Sequence, residues 1–503
     1  MQTNASFSWP LDKLLKDWVK VQSSYSETFI TGLSLDSRST SEGDLYFAMQ
    51  GLKQHGAEYS QQAVINGAAA LAWETSEAVN EKNLPSCIPC VAVDGLQNKL
   101  GLICQRFYNN PSAQMNVIAV TGTDGKTSVS QFIAQALSQL DVPCGVIGTL
   151  GYGVYPNFDE ASHTTPDAVR MHGLLNGLYV DEVKNVVLEA SSHGLRQGRL
   201  NGVEVDTAVF TNLGRDHMDY HDTIDDYFNS KRLLFQTTCL KNAVINIDND
   251  AGMRLAQEFS GQLNVITYSI RSNSINMNSC INATNIKSIA GITSFEIESS
   301  WGKAKLKTRL FGKFNISNLL AVMGALLTSG VEFDNAVKVI STVNTVPGRM
   351  EFIAYEKNSP VTVIDYAHTP QALIHVLKVL REHCTGKLWC VFGCGGNRDQ
   401  GKRKLMAQAV ERYADVAVVT DDNPRFEDPE EITNEIQLGF SSSSSYSLIH
   451  DRQKAIEYAI QHAHAEDMVL IAGKGHEAVQ IVKGDYLPFD DKQVAVEILQ
   501  QAL

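Results

Sequence analysis

Short apolar runs that alternate with longer segments of helical periodicity constrain the fold of this chain most strongly. In the stretch 111–345 the runs are rich in β-branched residues and lie at 117–120, 185–188, 208–210 and 243–247. Four more follow at 361–364, 388–392, 416–419 and 468–471. Such alternation is typical of parallel sheets covered by helices, because each connection between parallel strands needs a helix-sized segment. The pattern predicts an α/β fold whose ligands bind at the carboxyl ends of the strands.

Chain length and two turn-rich segments divide the sequence into three predicted domains. At roughly 100–200 residues per domain, 503 residues correspond to about three. The segments 109–111 (Asn-Asn-Pro) and 346–348 (Val-Pro-Gly) are typical of connections. We therefore predict a small N-terminal α/β domain over 1–110, a central parallel-sheet domain over 111–345 and a C-terminal Rossmann-like α/β domain over 346–503. The serine run 441–445 is expected to form a mobile surface loop.

The charge balance excludes several classes of function. The chain has 42 basic and 56 acidic residues, a formal net charge of -14, so we expect no nucleic-acid partner and no membrane partner. No apolar stretch approaches the roughly 18 residues of a membrane helix, and the first residues lack the pattern of a secretory signal. These features predict a cytoplasmic protein. Of its nine cysteines, Cys87 and Cys90 form a CxxC pair without a second pair at zinc-site spacing, so we expect thiols.

The segment 121–128 (TGTDGKTS) follows an apolar run and precedes residues that recur at helical spacing. This context is typical of a phosphate-binding loop, which makes the central domain ATPase-like. The glycines let backbone N–H groups converge on phosphate oxygens, Lys126 supplies a positive charge, and Thr127 can place its hydroxyl on Mg²⁺. A standard loop has glycine at the position of Val120, so this is a shortened variant, and the alternative is a glycine-rich turn with a solvated lysine. The candidate nucleotide-binding residues are Gly122, Thr123, Asp124, Gly125, Lys126, Thr127 and Ser128.

Three further segments carry side chains that could act near bound phosphates. Glu189 follows the apolar run 185–188 and could reach a metal ion at a neighbouring phosphate loop, although a helix-capping acid is the alternative. The segment 211–221 contains Asp216 and His217 after another strand, and it could bind a divalent cation or form a solvated loop. Lys231, considered alone, is a surface lysine on an amphipathic helix.

Taken together, these segments resemble the Mur ligase family, the ATP-dependent, amide-forming enzymes of peptidoglycan synthesis. The resemblance covers essentially the whole chain. Beyond the segments already described, it rests on motifs at 191–194, 312–318, 348–351, 365–370 and 393–403. Within the family, the segments 35–38, 163–166 and 422–425 are similar to those of the member that adds the third residue of the stem peptide.

The resemblance implies a cytoplasmic ligase of cell-wall precursor synthesis. It would join meso-2,6-diaminopimelate to the D-glutamate γ-carboxylate of UDP-N-acetylmuramoyl-L-alanyl-D-glutamate, with an acyl phosphate as intermediate. The implied partners are these two substrates and ATP, and the implied cofactors are Mg²⁺ and a carbamate on Lys231 (N6-carboxylysine). A neutral amine and CO₂ form an anionic carbamate, whose oxygens suit Mg²⁺. We expect a monomer.

The resemblance also implies roles for individual residues. The catalytic residues are Lys126, Lys231, His217 and Glu189. The metal ligands are Thr127, Glu189, His217 and the carbamate of Lys231. ATP-binding residues beyond the phosphate loop are Asn315, Asn318, Arg349 and Asp365. The uridine-nucleotide-binding residues are Leu35, Ser37, Thr164, Thr165, Ser191, Gln197 and Arg199. The diaminopimelate-binding residues are Arg398, Asp422, Asn423, Pro424, Arg425, Gly473 and Glu477.

Three of these positions carry specific expectations. We expect the guanidinium of Arg425 to select diaminopimelate over lysine by binding its second carboxylate, since two parallel hydrogen bonds suit that pair. Glu477 suits an ammonium of the same ligand. Asp124 stands where the family often has asparagine, and a carboxylate beside phosphates is repulsive unless it points away or helps to hold the metal.

Two alternatives remain open from the sequence. A lysine-adding or folylpolyglutamate-type ligase shares the superfamily motifs, although the uridine-nucleotide segments and the 422–425 loop favour diaminopimelate. A phosphate-loop nucleotide switch would instead hydrolyse ATP without joining two substrates. Release of ADP that depends on both co-substrates would separate a ligase from a switch.

Overall fold

A computed structural model of the chain describes residues 7–51, 54–76, 79, 81–161, 163–271, 279–289, 292–353, 359–441 and 445–501. Most of the serine run, 442–444, lies outside the described residues, and so does the expectation of a mobile loop there. The chain divides into two compact units. The first contains the described residues up to Ala119, with Asp141–Ala208 and Leu233–Lys241. The second contains Val120–Leu140, Val209–Arg232 and the described residues from Asn242 onward.

Strands and helices alternate in the first half of the described chain. The strands are β1 (Trp9–Pro10), β2 (Phe29–Ile30), β3 (Gly32–Ser34), β4 (Asp44–Ala48), β5 (Ala70–Glu74), β6 (Cys90–Val93), β7 (Asn116–Thr121), β8 (Cys144–Gly148), β9 (Gly151–Val154), β10 (Asn157–Asp159), β11 (Asn185–Glu189), β12 (Thr207–Phe210), β13 (Asn242–Asn246) and β14 (Asn264–Ser269). The helices are α1 (Leu11–Leu14), α2 (Ser60–Ile65), α3 (Leu96–Phe107), α4 (Lys126–Ser138), α5 (Ala168–Val180), α6 (Ser192–Arg196), α7 (Ile224–Arg232) and α8 (Asp250–Phe259). Turns of 3-10 helix lie at Ser23–Tyr25, Gly56–Tyr59, Glu81–Asn83, Pro111–Gln114 and Leu233–Gln236.

The second half continues the same alternation after a run of antiparallel strands. Its strands are β15 (Ser279–Ile289), β16 (Ile292–Ser299), β17 (Gly302–Thr308), β18 (Glu351–Ile353), β19 (Val361–Asp365), β20 (Leu388–Phe392), β21 (Val416–Val419), β22 (Tyr446–Leu448), β23 (Met468–Ala472), β24 (Val479–Val482) and β25 (Asp485–Pro488). Its helices are α9 (Lys313–Thr328), α10 (Phe333–Ile340), α11 (Pro370–His383), α12 (Gly401–Tyr413), α13 (Pro429–Gln437), α14 (Arg452–His462) and α15 (Asp491–Gln501). The eight apolar runs predicted as strands coincide with β7, β11, β12, β13, β19, β20, β21 and β23 to within one residue. The predicted α/β class is therefore confirmed.

The first unit contains a parallel sheet of four strands in the order β3-β4-β5-β6. Leu45 and Phe47 of β4 pack in one core cluster with residues of α1 and α3, whereas Tyr46 packs on the opposite face with Ala63 of α2. Every residue of β4 is buried, because helices cover both faces of a parallel sheet. Elsewhere in this unit, β8 pairs in parallel with β11 and antiparallel with β9. Strand β9 in turn pairs antiparallel with β10.

The segment 109–111 is a tight turn. Asn109 and Asn110 both adopt the left-handed conformation, with φ of 56° and 53°, which asparagine tolerates better than most residues. Pro111 then begins a turn of 3-10 helix.

The two compact units do not divide the chain at the predicted domain boundaries, 110/111 and 345/346. Those boundaries stay a prediction.

A six-stranded sheet in the second unit positions most candidate residues of the C-terminal region. Its order is β18-β19-β23-β20-β21-β22, and all its strands are parallel except β18 at one edge. Buried residues of α11, α12 and α13 cover one face, and those of α14 and α15 cover the other. The loops that follow β19, β20, β21 and β23 therefore share one edge of the sheet, where ligands bind in open α/β sheets.

The second unit also contains strands that the sequence analysis missed. β13, β14 and β15 run parallel, but β15, β16 and β17 form an antiparallel meander. In β16, Phe295 and Ile297 are buried while Ser294 and Glu296 are half-exposed, the period-2 alternation of a sheet with one solvated face. The predicted parallel strands of the central region are therefore continued at this edge by antiparallel ones. Among the described residues, none of the helices combines the length and apolar character needed to cross a membrane.

Candidate active site

The predicted phosphate loop lies between β7 and α4 in the second unit. Gly125 caps α4 with φ of 87°, and Gly122 has φ of 149°, both in the region that favours glycine. A methyl group on Gly122 would lie 1.9 Å from Oγ1 of Thr211, and one on Gly125 would lie 2.8 Å from Oδ1 of Asn318. These glycines are therefore required both by backbone conformation and by the close approach of neighbouring side chains.

Two residues after β12 hold the phosphate loop in place. Asn212 Oδ1 accepts a hydrogen bond from the backbone N–H of Asp124 at 2.9 Å, and its Nδ2 donates to the carbonyl of Asp124 at 3.1 Å. Thr211 Oγ1 donates to the same carbonyl at 2.6 Å. Neither residue was predicted to have a role from the sequence. The available signal was an asparagine directly after a strand, since its short amide side chain commonly bonds to nearby backbone groups.

Lys126 is the first residue of α4, and its side chain folds back over the loop. Its Nζ donates to the carbonyl oxygens of Gly122 and Thr123, each at 2.9 Å. The ammonium thus lies above the loop's own backbone, at the amino end of α4, where the helix dipole already favours an anion. The arrangement places a full and a partial positive charge on one side of the loop.

Lys231 of α7 is buried beside the same loop. Its side chain is 1% exposed, and its Nζ donates to the carbonyl oxygen of Gly122 at 2.8 Å and lies 4.2 Å from the ring centroid of Tyr227. Burial, with the repulsion of Lys126 second, holds the pKa of Lys231 well below its usual value. The lysine that the local sequence indicates to be a surface residue is instead a buried amine that favours its neutral form.

The amino end of α9 lies next to the phosphate loop. Asn315 donates from Nδ2 to the carbonyl of Phe311 at 2.9 Å, and its Oδ1 accepts from Nδ2 of Asn318 at 3.3 Å. Because Asn318 Oδ1 faces Gly125, the two predicted ATP-binding residues Asn315 and Asn318 and the loop come together within one unit. The orientation of the two side-chain amides is fixed by the hydrogen bond between them and by the hydrogen bond from Asn315 to the backbone.

Arg349 joins the C-terminal region to the phosphate loop. Its Nη2 donates to Oγ1 of Thr127 at 3.3 Å, and its guanidinium lies 4.3 Å from the ring centroid of Tyr366. Its Nε is buried and has no hydrogen-bond partner among the described residues, so it remains available to an acceptor of the kind a phosphate provides.

Asp365 ends β19 close to Arg349. Its two carboxylate oxygens accept backbone hydrogen bonds from Met350 and Ala367, each at 2.7 Å. Burial raises the pKa of Asp365 above its usual value, and the positive charge of Arg349 opposes the rise. The carboxylate therefore fixes the backbone around Arg349 and brings this predicted ATP-binding pair together.

A buried charge cluster surrounds Asp216, next to His217. Its Oδ1 accepts from Nζ of Lys402 at 3.2 Å, and its Oδ2 lies 3.4 Å from Nε2 of His217 and 3.6 Å from Nε2 of His368. Burial alone would raise the pKa of Asp216, but Lys402, His368 and His217 together hold it well below its usual value. Lys402 has no assigned role in the sequence analysis because 186 residues separate it from its partner.

Glu189 belongs to the first unit, where it ends β11. Its carboxylate is fully buried and accepts hydrogen bonds from the backbone N–H and the hydroxyl of Thr149, both at 2.9 Å. The cap of α6 is Ser191, whose Oγ accepts from the N–H of Gly194 at 3.1 Å, so Glu189 does not cap that helix. Within the described ranges, no three His, Cys, Asp or Glu side chains are grouped so as to hold a metal ion by themselves.

The candidate uridine-nucleotide residues fall into two places in the first unit. Thr165 Oγ1 bonds to Ser191 Oγ at 3.0 Å, and Arg199 donates to the carbonyl of Thr165 at 2.5 Å and to Oε1 of Gln197 at 2.7 Å. Thr164 joins this group through Thr149, whose hydroxyl lies 3.0 Å from its own. Leu35 and Ser37 lie instead in the loop after β3 of the four-stranded sheet, where Asn66 bonds to the carbonyl of Ser37 at 2.7 Å.

The candidate amino-acid site lies at the carboxyl edge of the six-stranded sheet. Arg425 has a left-handed backbone, with φ of 55°, and its Nη1 donates to the carbonyl of Gly396 at 2.9 Å. A methyl group on Gly395 would lie 2.8 Å from that nitrogen and 3.7 Å from Cγ of Arg398. Burial, and next the charge of Arg398, lower the pKa of Arg425. Two cationic side chains thus meet at Gly395, and neither forms an ion pair among the described residues.

The acidic side of this site is Glu477. Its Oε2 accepts from Nδ2 of Asn423 at 2.8 Å, and its Oε1 accepts from the hydroxyl of Tyr366 at 3.4 Å. Gly473 has φ of 117°, and a methyl group there would lie 2.6 Å from Oδ2 of Asp422. The buried Pro424 completes the loop. All seven predicted amino-acid-binding residues therefore lie in the loops after β20, β21 and β23.

Three family models match the chain in succession. They are the Mur ligase family catalytic domain over 29–108, the Mur ligase middle domain over 120–326, and the Mur ligase glutamate ligase domain over 348–475. The chain is thus similar to three successive domains of one family.

Similar proteins of known name cover nearly the whole chain. A protein of Coxiella burnetii is 42% identical over 474 residues, which are 94% of this chain and 96% of the relative. One of Ectopseudomonas mendocina is 43% identical over 490 residues, 97% and 98% of the two chains. Both are named UDP-N-acetylmuramoyl-L-alanyl-D-glutamate–2,6-diaminopimelate ligase. A solved structure with that name is 34% identical, covers 99% of each chain and superposes with a TM-score of 0.68.

Proposed function

This chain belongs to the Mur ligase family, and we propose that it joins meso-2,6-diaminopimelate to the D-glutamate γ-carboxylate of UDP-N-acetylmuramoyl-L-alanyl-D-glutamate at the expense of ATP. The names of its full-length relatives support these substrates. The observation that carries the choice of amino acid is the meeting of Arg398 and Arg425 at Gly395, with Glu477 on the same sheet edge. Diaminopimelate carries a carboxylate at both ends and two ammonium groups, so it needs receptors of both signs.

The second unit supplies the groups for the first step, transfer of the ATP γ-phosphoryl group to the γ-carboxylate. Lys126 and the backbone N–H groups of the loop bind phosphate oxygens and stabilise the charge that develops there. Arg349 contributes its guanidinium beside Thr127, and its unpartnered Nε suits a phosphate oxygen. The product of this step is an acyl phosphate and ADP. We assign the adenine side to Asn315 and Asn318, whose amides lie beside the loop.

The metal ligands that we propose are Thr127, Glu189, His217 and a carbamate on Lys231. A bound Mg²⁺ would neutralise charge on the transferred phosphoryl group. The donor chemistry fits, since a hydroxyl, an imidazole and carboxylate-like oxygens can all bind a divalent cation. The neutral amine that burial favours at Lys231 is the form that reacts with CO₂. Asp216 would hold His217, because its carboxylate lies against that imidazole.

The second step is attack of the amino group of diaminopimelate on the acyl carbon, which forms the amide and releases phosphate. The chain's task here is to orient the amine and to keep water from the acyl phosphate. We propose that Arg425 and Arg398 bind the far carboxylate and that Glu477 binds an ammonium. Asp422, Asn423, Pro424 and Gly473 shape the surrounding loops. The uridine nucleotide would meet Leu35, Ser37, Thr164, Thr165, Ser191, Gln197 and Arg199.

An end-point assay tests the proposal directly. Purified protein is incubated with ATP, Mg²⁺ and the uridine-nucleotide dipeptide, with either diaminopimelate, lysine or no amino acid, and ADP and product mass are both measured. We expect ADP release that requires both co-substrates and a product heavier by one diaminopimelate less one water. Equal turnover with lysine would indicate the lysine-adding activity. ADP release without any acceptor would indicate a nucleotide switch, and turnover with a folate acceptor instead would indicate a folylpolyglutamate-type ligase.

We also propose that the protein acts in the cytoplasm, as a monomer. Its substrates include ATP and a uridine nucleotide, both of which are cytoplasmic metabolites. The three predicted domains, 1–110, 111–345 and 346–503, would then carry the uridine nucleotide, the ATP and the amino acid respectively. Light scattering at working concentration checks the monomer, and a mass near twice 55.2 kDa would contradict it.

A further inference from the structure

Lys474 is a fully buried lysine at the amino-acid site, and it has no role in the reaction as described so far. It lies two residues after β23, and its side chain is 0% exposed. Its Nζ donates to Oδ1 of Asn423 at 3.1 Å and to the carbonyl oxygen of Val479, and it lies 3.4 Å from Oε2 of Glu477. Burying an ammonium ion costs roughly several kcal/mol of hydration free energy. Hydrogen-bond acceptors and carboxylates must therefore replace the lost water.

The contacts of Lys474 fix which way the Asn423 amide points. Oδ1 of Asn423 accepts from Lys474 and from the backbone N–H of Ile481 at 3.0 Å, so its Nδ2 is directed to Glu477 at 2.8 Å. An ammonium can only donate, and it would repel an amide turned the other way. Lys474 therefore orients both the amide and the carboxylate that face the incoming amino acid.

The same lysine connects the β24–β25 hairpin to the loop that carries Arg425. Lys474 bonds to the carbonyl of Val479, the first residue of β24. Further along that strand, the carbonyl of Ile481 accepts from the N–H of Arg425 at 2.9 Å, and Gln480 donates from Nε2 to the carbonyl of Asp422 at 2.8 Å. The left-handed backbone of Arg425 is thus supported by a strand that Lys474 holds at its first residue.

We propose that Lys474 is a positioning residue that sets both the geometry and the charge of the amino-acid site. It acts through Asn423, Glu477 and the hairpin, not by touching the substrate. The inference rests on the proposed function, because it takes these loops as the site of the incoming amino acid.

Removing the Lys474 charge has a consequence that a purely structural role would not produce. The charged groups around the site include the cations Lys474, Arg398 and Arg425 and the carboxylates Asp422 and Glu477. Without Lys474 the site carries one positive charge less. The site then becomes less favourable for a ligand with a second carboxylate and relatively more favourable for lysine, which lacks it.

Two substitutions separate the charge from the hydrogen bonds. Lys474→Met removes both, whereas Lys474→Gln keeps a donor and removes the charge. We expect Lys474→Met to raise the KM for diaminopimelate by roughly 10- to 100-fold, the range for hydrogen bonds to charged groups. The KM for ATP should stay within about twofold, since Lys474 contacts no residue of the phosphate loop. Both variants should lower the preference for diaminopimelate over lysine by on the order of tenfold.

The matched control is Lys454→Met, which removes the same charge from an exposed lysine of α14. It should change neither KM nor the preference. Lysine is compared as a substrate or, where it does not react, as a competitive inhibitor. A lower melting temperature with an unchanged amino-acid KM, or equal effects on both amino acids in the glutamine variant, would overturn the proposal.

The wild-type assay keeps this test separate from the test of the proposed function. If the wild type accepts an amino acid other than diaminopimelate, the proposed substrate fails. The KM of the amino acid that it does accept then still reports on Lys474. If that KM does not change in either variant, the positioning role fails by itself.

Discussion

Lys231 donates a hydrogen bond to the carbonyl oxygen of Gly122 at 2.8 Å, across 109 residues of sequence. The contact places a buried amine against the backbone of the phosphate loop, with no carboxylate among its hydrogen-bond partners in the described chain. Burial favours the uncharged amine, and only an uncharged amine adds CO₂. Burial thus accounts for the lowered pKa, and the contact with Gly122 places the proposed carbamate beside the loop.

The first prediction concerns that carbamate. Lys231→Ala should keep the fold and lose roughly 10²–10³-fold of turnover, the range for removing one group that stabilises transferred charge. A small added carboxylate such as formate should restore part of the activity, because it replaces the missing oxygens. Lys241→Ala, at an exposed lysine paired with Asp206, is the control and should respond to neither. An unmodified Lys231 amine in the mass spectrum of active, bicarbonate-supplied enzyme would contradict the carbamate.

The second prediction uses the lowered pKa of Lys231 in CO₂-free buffer. Between the lowered folded pKa and the unfolded value near 10.5, the unfolded chain binds a proton that the folded chain does not. Wild-type stability should therefore rise with pH in this window, by up to about 1.4 kcal/mol per pH unit from this group. Lys231→Met removes that dependence. Its gain in melting temperature over wild type should be larger near about pH 7 than near about pH 9.5, and a constant difference would show that Lys231 is charged in the folded state.

The third prediction concerns Lys126. Its ammonium lies over the loop through bonds to Gly122 and Thr123, so Lys126→Ala should leave the fold intact and lower turnover by roughly 10²–10³-fold. Circular dichroism verifies the fold, and ADP release measures the loss. Near-normal turnover in the folded variant would reject the loop as the phosphate site.

The phosphate loop was predictable from sequence because its parts are contiguous. Gly122, Gly125 and Lys126 lie within five residues, and an apolar strand precedes them. The burial of Lys231 was not predictable from its own segment, since it depends on Gly122, and only the family resemblance pointed to it. Without that resemblance, the local sequence pattern predicts an exposed lysine, whereas Lys231 is buried.

Contacts between distant segments account for most of what sequence reasoning missed. Lys402 reaches Asp216 across 186 residues, and Lys474 reaches Asn423 across 51. No local sequence pattern predicts that either lysine is buried. The partner that neutralises each charge lies in a distant segment, and the periodicity of a lysine's own segment contains no information about that partner. The antiparallel strands β15 to β17 were missed for a different reason. Their period-2 alternation was visible in the sequence, but the strand–helix pattern on both sides of them dominated the interpretation.

The fourth prediction tests the buried pair Lys402–Asp216. Both side chains are at most 7% exposed, and removing one partner leaves a buried charge, which costs about 3–5 kcal/mol. Lys402→Met should therefore lower the free energy of unfolding by an amount in that range. Lys303→Ala is the control, because Lys303 lies 2.7 Å from Glu298 in an exposed pair that is worth about 0–1 kcal/mol. Equal losses in the two variants by chemical denaturation would show that burial of the Lys402–Asp216 pair does not matter.

The last prediction is that Arg425 selects the incoming amino acid. Its guanidinium is half-buried beside Arg398 and bonds to the carbonyl of Gly396, and no carboxylate side chain pairs with it in the described residues. A second carboxylate on the substrate would supply the missing partner, whereas lysine would leave two neighbouring cations unopposed. Arg425→Ala should cost about 2–5 kcal/mol of kcat/KM with diaminopimelate, roughly 30- to 4,000-fold.

The same variant should lose far less activity with lysine, or gain some. A matched control is Arg412→Ala, at an arginine in the last turn of α12, which should affect neither substrate. The measurement is kcat/KM for both amino acids in wild type and variants. Since a merely structural arginine would lower both values together, equal losses would reject Arg425 as the selector and leave Arg398 as the remaining cation at Gly395 able to bind the far carboxylate.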